Sequence, residues 1–536
     1  MRIVSAQLQT RGIDTYCFFL DSIAEKYPAD LLRAVAGKVA GSALVGVSVV
    51  EMGKSRAIDI TRFLQHNHGL KVLWGGTYPT LSPEEAIEFA DYVCVGEGDD
   101  MVHELAMTLT RQEDLRNVPN LVYRNTDGTV EQTRLGRLVS PLDNVPFADY
   151  FTPDRHYDIS PSGALRKMVH GYPRMERSTL RFKRNLWMMF GRGCHLKCTY
   201  CSVPSLADTT RGLGPFFRFK SPRVMIEEIE WALERNNGAD YVYIMDNDFC
   251  ALPLRKLDEF CEFYQDRIRL PFLCYGTPVT ITLDKVRSLA RAGVERLDLG
   301  IQSGSDRVLK IYGRRTTKRE ILEAAEAIAT AIEERRDASP LAGYPGWPVK
   351  PYFDVIFNAP FETREDLEET IDVIKRIGRM GFDFGLYCQP LTFFENTGLY
   401  DQAASGQFDK LNLEREQILA GLSYQQIAEH IVARGNHLYL NTLIYWMRYD
   451  HTRWFAGIVP RILLHALTAK ETVDFFERVD HNPLFRFLAQ VISYSMPTRD
   501  RRYFVRRSLR SHFLRICNRV MSVRSGPAGG GRSNRC

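Results

Sequence analysis

Between Gly12 and Asp100 the chain alternates short apolar runs, Thr15–Leu20, Ala43–Val50, Lys71–Trp74 and Tyr92–Val95, with stretches of helical periodicity at Asp30–Val39, Lys54–His66 and Pro83–Phe89. Strands separated by helices predict a parallel sheet, because each parallel crossover needs a helix to return across the face. Ser82 stands before the third helix with Glu85 three residues on, the spacing of a capping box. Arg2–Thr10 has helical propensity and stops at Gly12, so the chain is expected to begin inside a helix that a first strand precedes. In a 2-1-3-4-5 order that strand lies within the sheet and its loop meets the ligand, so its absence opens the middle of the sheet. Asp127-Gly128 between two alternating runs over Asn120–Thr133 predicts a hairpin.

A polar stretch from Pro141 to Arg184 interrupts the pattern, and six further apolar runs follow: Leu186–Phe190, Tyr241–Met245, Pro271–Cys274, Arg296–Ile301, Tyr352–Phe357 and Phe384–Cys388. Helical stretches at Arg223–Arg235, Leu254–Tyr264, Asp284–Ala292, Lys318–Arg335 and Arg364–Arg379 separate them. Repeated β/α steps of this kind predict a parallel barrel or part of one, with active residues at the C-terminal strand ends. The Pro- and Gly-rich segment Asp337–Pro351 reads as a long loop able to cover the barrel mouth. After about Ser405 the strand signals stop. The expected fold is therefore α/β: a doubly wound domain over 1–140, a connector over 141–184, a partial (β/α)6 barrel over 185–404, a helical region over 405–521 and a disordered tail over 522–536.

Composition adds little to this picture, and charge adds one feature. No run of eighteen apolar residues and no secretory leader is visible, which predicts a cytoplasmic protein with reduced cysteines. The net charge of +5 is uneven: Pro497–Cys536 holds eleven arginines and one acid, leaving the body mildly acidic. Within that tail Val505, Leu509, Phe513, Ile516 and Val520 recur at helical spacing, with Arg507, Arg510, Arg515 and Arg519 on the other faces. Such a basic amphipathic helix suits peripheral contact with an anionic membrane, or packing on the protein's own body. Nucleic acid is the less expected partner.

The chemistry concentrates just after the fifth apolar run, in Gly191-Arg192-Gly193-Cys194-His195-Leu196-Lys197-Cys198-Thr199-Tyr200-Cys201. Structural zinc prefers four ligands, usually as two separated pairs, and no second C-x2-C pair exists to complete it. Three thiolates suit an iron–sulfur cluster that leaves one iron open to an N/O chelate. Gly191 and Gly193 permit a tight turn around it, with amides available to the cluster sulfurs. Cys250, Cys261, Cys274 and Cys388 lack metal spacing and read as small buried hydrophobes.

This triad, with the aromatic Tyr200 before its last cysteine, resembles the signature of the radical-SAM superfamily. The resemblance implies that Cys194, Cys198 and Cys201 hold a [4Fe-4S] cluster whose open iron chelates S-adenosylmethionine, fed by an external electron donor. Reductive cleavage would then give a 5′-deoxyadenosyl radical that abstracts hydrogen from substrate. It also places Asp246 and Asp248 of Asp246-Asn247-Asp248 near the methionine amino group, Gln302 and Ser303 near the ribose and carboxylate, and Asn358 near the adenine. Asn358 stands where glycine is commoner in that family.

The turns Trp74-Gly75-Gly76-Thr77-Tyr78 and Val95-Gly96-Glu97-Gly98 follow two strands at the edge where α/β domains bind ligands. An α/β domain with such turns ahead of the barrel resembles the cobalamin-binding radical-SAM subfamily over roughly residues 1–400. That resemblance makes Gly75, Gly76, Thr77, Gly96 and Glu97 the expected cobalamin contacts, without a histidine ligand since Tyr78 stands where histidine is common. The leading expectation is cobalamin-dependent methylation of an unactivated carbon in a small-molecule or lipid substrate. The alternatives are a cobalamin-associated radical cyclase or rearrangement enzyme, and a non-catalytic cluster- or corrinoid-binding protein. A tRNA methylthiolation enzyme would need another cysteine triad in the first domain, where only Cys17 and Cys94 stand. No catalytic residue beyond the cluster cysteines is assignable.

Overall fold

The computed structural model describes residues 1–20, 26–160, 163–169, 184–236, 238–335, 349–408, 437–447 and 467–479. The expected basic amphipathic helix, the disordered tail and nearly all of the expected 337–351 loop lie outside these residues.

Two α/β sheets dominate, the first mixed and the second all parallel. In the first region α1 (Arg2–Gln9), β1 (Cys17–Phe19), α2 (Ala29–Val39), β2 (Val45–Ser48), α3 (Lys54–His68), β3 (Val72–Gly75), α4 (Thr77–Leu81), α5 (Pro83–Ala86), β4 (Tyr92–Cys94) and α6 (Met101–Arg111) follow in order. The predicted hairpin forms as β5 (Leu121–Arg124) and β6 (Val130–Gln132), turning through Gly128 at φ +87°. The sheet order is β2-β3-β4-β5-β6, parallel from β2 to β4 and antiparallel beyond. Its core is built by Leu31, Val35 and Ala36 of α2, Ile60 and Leu64 of α3, and Val72, Trp74 and Val93 of the strands. Burial of such side chains at about 1.5–3 kcal/mol each is what fixes the layers.

Two features depart from the sequence expectation. The segment read as the first visible strand of this sheet does not join it: β1 pairs in parallel with β7 (His156–Ile159), which pairs antiparallel with β8 (Leu165–Lys167). Both partners come from the stretch read as a connector, whose three- and four-residue strands are too short to show a period-2 signal. The helix expected over Pro83–Phe89 is only Pro83–Ala86, without a side-chain cap from Ser82. Ser82 instead accepts from Asn396 Nδ2 at 2.7 Å, and Glu85 pairs with Lys54.

The second sheet carries β9 (Asn185–Met188), β12 (Tyr241–Ile244), β13 (Phe272–Gly276), β14 (Val294–Gln302), β15 (Lys350–Phe357) and β16 (Gly385–Pro390), all parallel and in sequence order across the sheet. Between them run α8 (Pro222–Arg235), α9 (Leu254–Phe263), α10 (Leu283–Ala292), α12 (Lys318–Glu334) and α13 (Arg364–Gly378). Capping boxes at Thr317/Glu320 and Thr363/Asp366 start α12 and α13. One face of each strand packs under these helices: Leu297, Leu299 and Ile301 of β14 and Phe353, Val355 and Phe357 of β15 are all buried. The alternate positions face away from the helices, into the concave side. Inserted before α8 are the short pair β10 (Gly191–Arg192) and β11 (Arg218–Phe219), flanking α7 (Val203–Thr209). A short α11 (Asp306–Ile311) and α14 (Gly398–Ala404) pack beside the same end of the sheet.

Candidate functional site

The three cysteines lie on the loop between β10 and α7, at the C-terminal end of β9. None is disulfide-bonded; Cys198 is buried, and Cys194 and Cys201 are partly so. Leu196 N–H donates to Cys194 Sγ at 3.4 Å and Val203 N–H to Cys201 Sγ at 3.5 Å. Burial pushes the Cys194 thiol up, and that of Cys201 to about 11. Thiolates there need a compensating cationic centre. A single tetrahedral zinc would bring its sulfurs to about 3.8 Å of one another. Among the described residues, the trio whose donor atoms all fall within 4.8 Å is Cys17, Asp149 and His156, and the three loop cysteines do not form such a group. Their spread suits separate irons of one cluster.

Both loop glycines are needed by the packing of the loop itself. A Cβ on Gly191 would stand 2.6 Å from the Phe219 ring, and one on Gly193, at φ +81°, 2.5 Å from the Phe216 carbonyl oxygen. The loop can therefore lie against 216–219 only with glycine at both places.

Asp246, Asn247 and Asp248 hold this loop from beneath at three points. Asp246 accepts from the amides of Phe190 at 3.0 Å and Gly191 at 2.6 Å. Asn247 Nδ2 donates to the Gly193 carbonyl at 2.9 Å. Asp248 bonds His195 Nε2 at 2.9 Å and accepts from Thr277 Oγ1 at 2.8 Å and Thr280 Oγ1 at 3.0 Å. Burial raises the Asp246 carboxyl to about 7 despite its two amide donors. In this structure both carboxylates, expected near a methionine amino group, are occupied in positioning the cysteine loop.

Arg314 belongs to the same site and was not visible in the sequence. Its guanidinium donates to Cys198 Sγ at 3.8 Å, to the Tyr200 hydroxyl at 3.2 Å and to the Gly300 carbonyl. Burial lowers its affinity for a proton, but Tyr200 and Cys198 more than restore it, so it stays charged. Gly313, at φ +62° and with Lys197 carbonyl oxygen 2.8 Å from a notional Cβ, seats the segment. A residue 116 positions from Cys198 shows no local spacing to mark it.

The remaining expected SAM contacts divide. Tyr200 packs edge-on to Tyr312, ring centroids 5.1 Å apart, inside an apolar cluster. Gln302 closes β14 at φ +65°, beyond a register shift between Gly300 and Gln302. Its Nε2 lies over Gly300. Ser303 is buried, with its hydroxyl hydrogen-bonded to Thr370 Oγ1 at 3.2 Å and accepting from Ser305 N at 3.1 Å. Asn358 adopts φ +58°, the left-handed region that glycine and, after it, asparagine tolerate. Its amide donates to Asn441 Oδ1 at 2.9 Å.

In the first region Gly76, at φ +110°, leaves room for its own neighbour: a Cβ there would stand 2.7 Å from the Val49 carbonyl oxygen. Thr77 opens α4, and Gly75 lies over Cys94. Gly96 N donates to Thr80 Oγ1 at 3.1 Å. Glu97 is an inter-sheet clasp, pairing with Arg192 at 3.0 Å and with Arg218, and accepting from Val139 N at 2.7 Å. Asp99 joins it at Arg192, 2.6 Å away. The ends of β2 and the following turn expose Val50 and Met52. The buried Cys17, Asp149 and His156 form a separate cluster in which Asp149 receives Ser5 at 2.7 Å, Gln9 at 2.8 Å and Thr152 at 2.8 Å and bonds His156 Nε2 at 3.0 Å.

Residues 188–374 match the family model of the Radical SAM superfamily, and this part of the chain is a radical-SAM domain. Among curated proteins, the chain is 22% identical over 338 residues to an uncharacterized methyltransferase of Pyrococcus horikoshii, covering 62% of this chain. It is 27% identical over 194 residues, 35% of this chain, to a tRNA-2-methylthio-N(6)-dimethylallyladenosine synthase of Hydrogenobaculum sp.. The chain spans 64% of the first relative's length and 39% of the second's. Among solved structures, it is similar in fold to the radical S-adenosylmethionine methyltransferase TsrM of Kitasatospora setae with cobalamin and [4Fe-4S] cluster bound. The TM-score is 0.53 at 15% identity, over 75% of this chain and 71% of that one. It is similar also to the cobalamin-dependent radical enzyme OxsB with aqua-cobalamin and S-adenosylmethionine bound, with a TM-score of 0.53 at 15% identity, over 91% and 69%. The α/β fold resembles that of cobalamin-dependent radical SAM enzymes. No helix among the described residues is long and apolar enough to cross a membrane.

Proposed function

Starting from a radical-SAM domain over residues 188–374, we propose that this chain reductively cleaves S-adenosylmethionine at a [4Fe-4S] cluster held by Cys194, Cys198 and Cys201, and methylates an unactivated carbon with cobalamin as methyl carrier. The observation that carries the proposal is the cysteine loop: three spread sulfurs at the C-terminal mouth of a parallel sheet, buttressed by Asp246, Asn247 and Asp248 and flanked by the Arg314 cation. Likeness to the fold of TsrM and OxsB supports the cobalamin assignment, as do the exposed apolar Val50 and Met52 beside β2. The glycine at 76 serves chain packing and Glu97 serves the clasp, so a corrinoid would meet this edge through backbone and apolar surface.

When bound, the cluster with S-adenosylmethionine supplies a carbon radical and the corrinoid supplies a methyl group. The chain's own part is positional. Asp248 fixes His195 and with it the first half of the loop; Asp246 ties the loop's start to β9; Arg314 places a fixed positive charge beside Cys198. Gln302, held at a positive φ at the end of β14 with its Nε2 over Gly300, would meet a polar ligand group at the barrel mouth.

Methylthiolation of tRNA is disfavoured because Cys17 and Cys94 lie on strands of different sheets and supply no second cluster site. The test is anaerobic reconstitution with iron, sulfide and cobalamin, followed by incubation with methyl-labelled S-adenosylmethionine and a low-potential reductant. Formation of 5′-deoxyadenosine, with label transferred to a carbon of the product, is expected. Deoxyadenosine without label transfer would instead support the cyclase or rearrangement reading.

A further inference from the structure

The concave face of the barrel sheet carries a row of side chains that the cluster site does not use. On β9, Trp187 and Met189 beyond it are 38% and 55% exposed while the alternate Leu186 and Met188 are buried; on β16, Tyr387 is 47% exposed between buried Leu386 and Cys388. These large groups stand on the two edge strands of the sheet, and exposed on the face away from its helices they mark a binding surface. The row is continuous across all six strands. Trp187 and Tyr243 rings lie 5.6 Å apart, Tyr243 and Tyr275 rings 6.1 Å apart with their hydroxyls hydrogen-bonded at 2.5 Å. Tyr275 is in register with Asp298, Asp298 with Tyr352, and Asp354 with Tyr387.

The charges in this row are matched except for one. Asp298 takes Arg296 in a two-point pair at 2.5 and 2.7 Å, and the same guanidinium covers the Tyr352 ring at 3.7 Å. Arg314 is engaged by Cys198, Tyr200 and Gly300. Asp354, alone among the charged groups of this face, makes no hydrogen bond or ion pair with the described residues. It is in register with Gly300, whose carbonyl receives Arg314, so it stands in the row next to the cysteine loop. A partly buried carboxyl with no partner is costly unless a ligand supplies one.

We propose that this face binds the substrate and that the substrate carries a protonated amine on an aromatic or flat apolar body, with the amine at Asp354 and the body against Trp187, Tyr243 and Tyr387. A carboxylate beside an aromatic face, as Asp354 is beside Tyr387, selects a cationic nitrogen by charge and by ring quadrupole together. Asp354 is then a specificity-determining residue. The assignment rests on the barrel being the reaction chamber of the proposed enzyme. It also fixes a distance relation: the amine sits one strand row from Gly300, and the carbon to be attacked lies toward Cys198.

The experiment uses the full-length, anaerobically reconstituted protein and titrates phenethylamine, its neutral isostere 2-phenylethanol and the anion 3-phenylpropionate by calorimetry and by tryptophan quenching. Phenethylamine is expected to bind at least about tenfold more tightly than the alcohol, with the anion weakest. Asp354→Asn should abolish that preference, and Asp354→Glu should restore most of it. Equal affinities in the unsubstituted protein, no binding of the amine, or a preference that survives Asp354→Asn would overturn the proposal. Far-ultraviolet dichroism checks that each variant folds, and the comparison of the three probes on the unsubstituted protein decides the matter if Asp354→Asn does not. Binding is read without S-adenosylmethionine cleavage. Failure to form 5′-deoxyadenosine therefore sinks the enzymatic reading alone, and absence of an amine preference sinks this one alone.

Discussion

The guanidinium of Arg314 lies 3.8 Å from the sulfur of Cys198, although the two residues are 116 positions apart. The same guanidinium donates to Tyr200 at 3.2 Å. A fixed cation at a ligand sulfur favours the more negative, reduced form of a cluster. Arg314→Met is therefore expected to lower the reduction potential, by about 60 mV for each ~1.4 kcal/mol of interaction lost. Potentiometric titration followed by electron paramagnetic resonance measures it. An unchanged or raised potential would show that Arg314 is only a packing residue.

Asp248 is the hub under the cysteine loop, bonded by His195, Thr277 and Thr280. Removing it takes the acceptor from two buried threonine hydroxyls and frees the exposed His195, which costs roughly 2–3 kcal/mol. Asp248→Ala should lower the melting temperature and reduce retained iron per chain after desalting. Asn247→Ala, which loses a single bond to the Gly193 carbonyl, should lose much less iron. Equal iron retention in the two variants would contradict the buttress role.

The cluster around Asp149 predicts a pH signature for the first region. Burial would push the Asp149 carboxyl up, but hydrogen bonds from His156 and Ser5 hold it down to about 2. A folded value below the unfolded one of about 3.9 contributes stability that is present above the unfolded value and lost as pH falls toward 2. Asp149→Asn should then cost on the order of 2–3 kcal/mol at pH 7, with the difference shrinking steadily below pH 4. His156 runs the other way. Burial lowers its pKa, yet Asp149 overrides this and raises it, so its contribution is full below its usual value and fades as pH rises through the folded one. Urea denaturation across pH measures both arms; a pH-independent cost for Asp149→Asn would refute the assignment.

Gly76 and Gly96 were both expected to admit a flat ligand, and the structure separates them. A Cβ at Gly76 meets the Val49 carbonyl oxygen at 2.7 Å, whereas at Gly96 the nearest atom is Thr210 Cγ2 at 3.9 Å. Both have positive φ, so alanine strains either by about 1–2 kcal/mol, and only Gly76→Ala adds a backbone clash. Gly76→Ala is expected to lose clearly more thermal stability than Gly96→Ala. Similar losses would mean that the β2 and β3 ends can part easily.

All six strands of the second sheet were legible because each is bounded by an amphipathic helix, and buried parallel strands read as apolar runs. The boundaries moved by one or two residues, as with Arg296–Ile301 becoming Val294–Gln302. Partnership was not legible. Nothing in Cys17-Phe18-Phe19 tells the chain to pair with His156–Ile159, since parallel pairing is set by contacts far apart in sequence. The cysteine loop announced its donors by spacing, while the roles of Asp246, Asp248, Glu97 and Arg314 depend on which groups the fold brings within about 3–4 Å. Asn358 is the instructive middle case. It stands where glycine is commoner in the resembled family, and at φ +58° it holds the left-handed backbone that glycine adopts most readily.

The central claim is that the loop bearing Cys194, Cys198 and Cys201 supports reductive cleavage of S-adenosylmethionine. The most direct measurement is 5′-deoxyadenosine formed by the anaerobically reconstituted protein with dithionite and S-adenosylmethionine, beside the Cys198→Ala variant. Deoxyadenosine that accumulates with the unsubstituted protein and disappears with the variant is the predicted result. No deoxyadenosine from protein that carries an intact, reducible cluster would contradict the account and leave a cluster-binding protein without this chemistry.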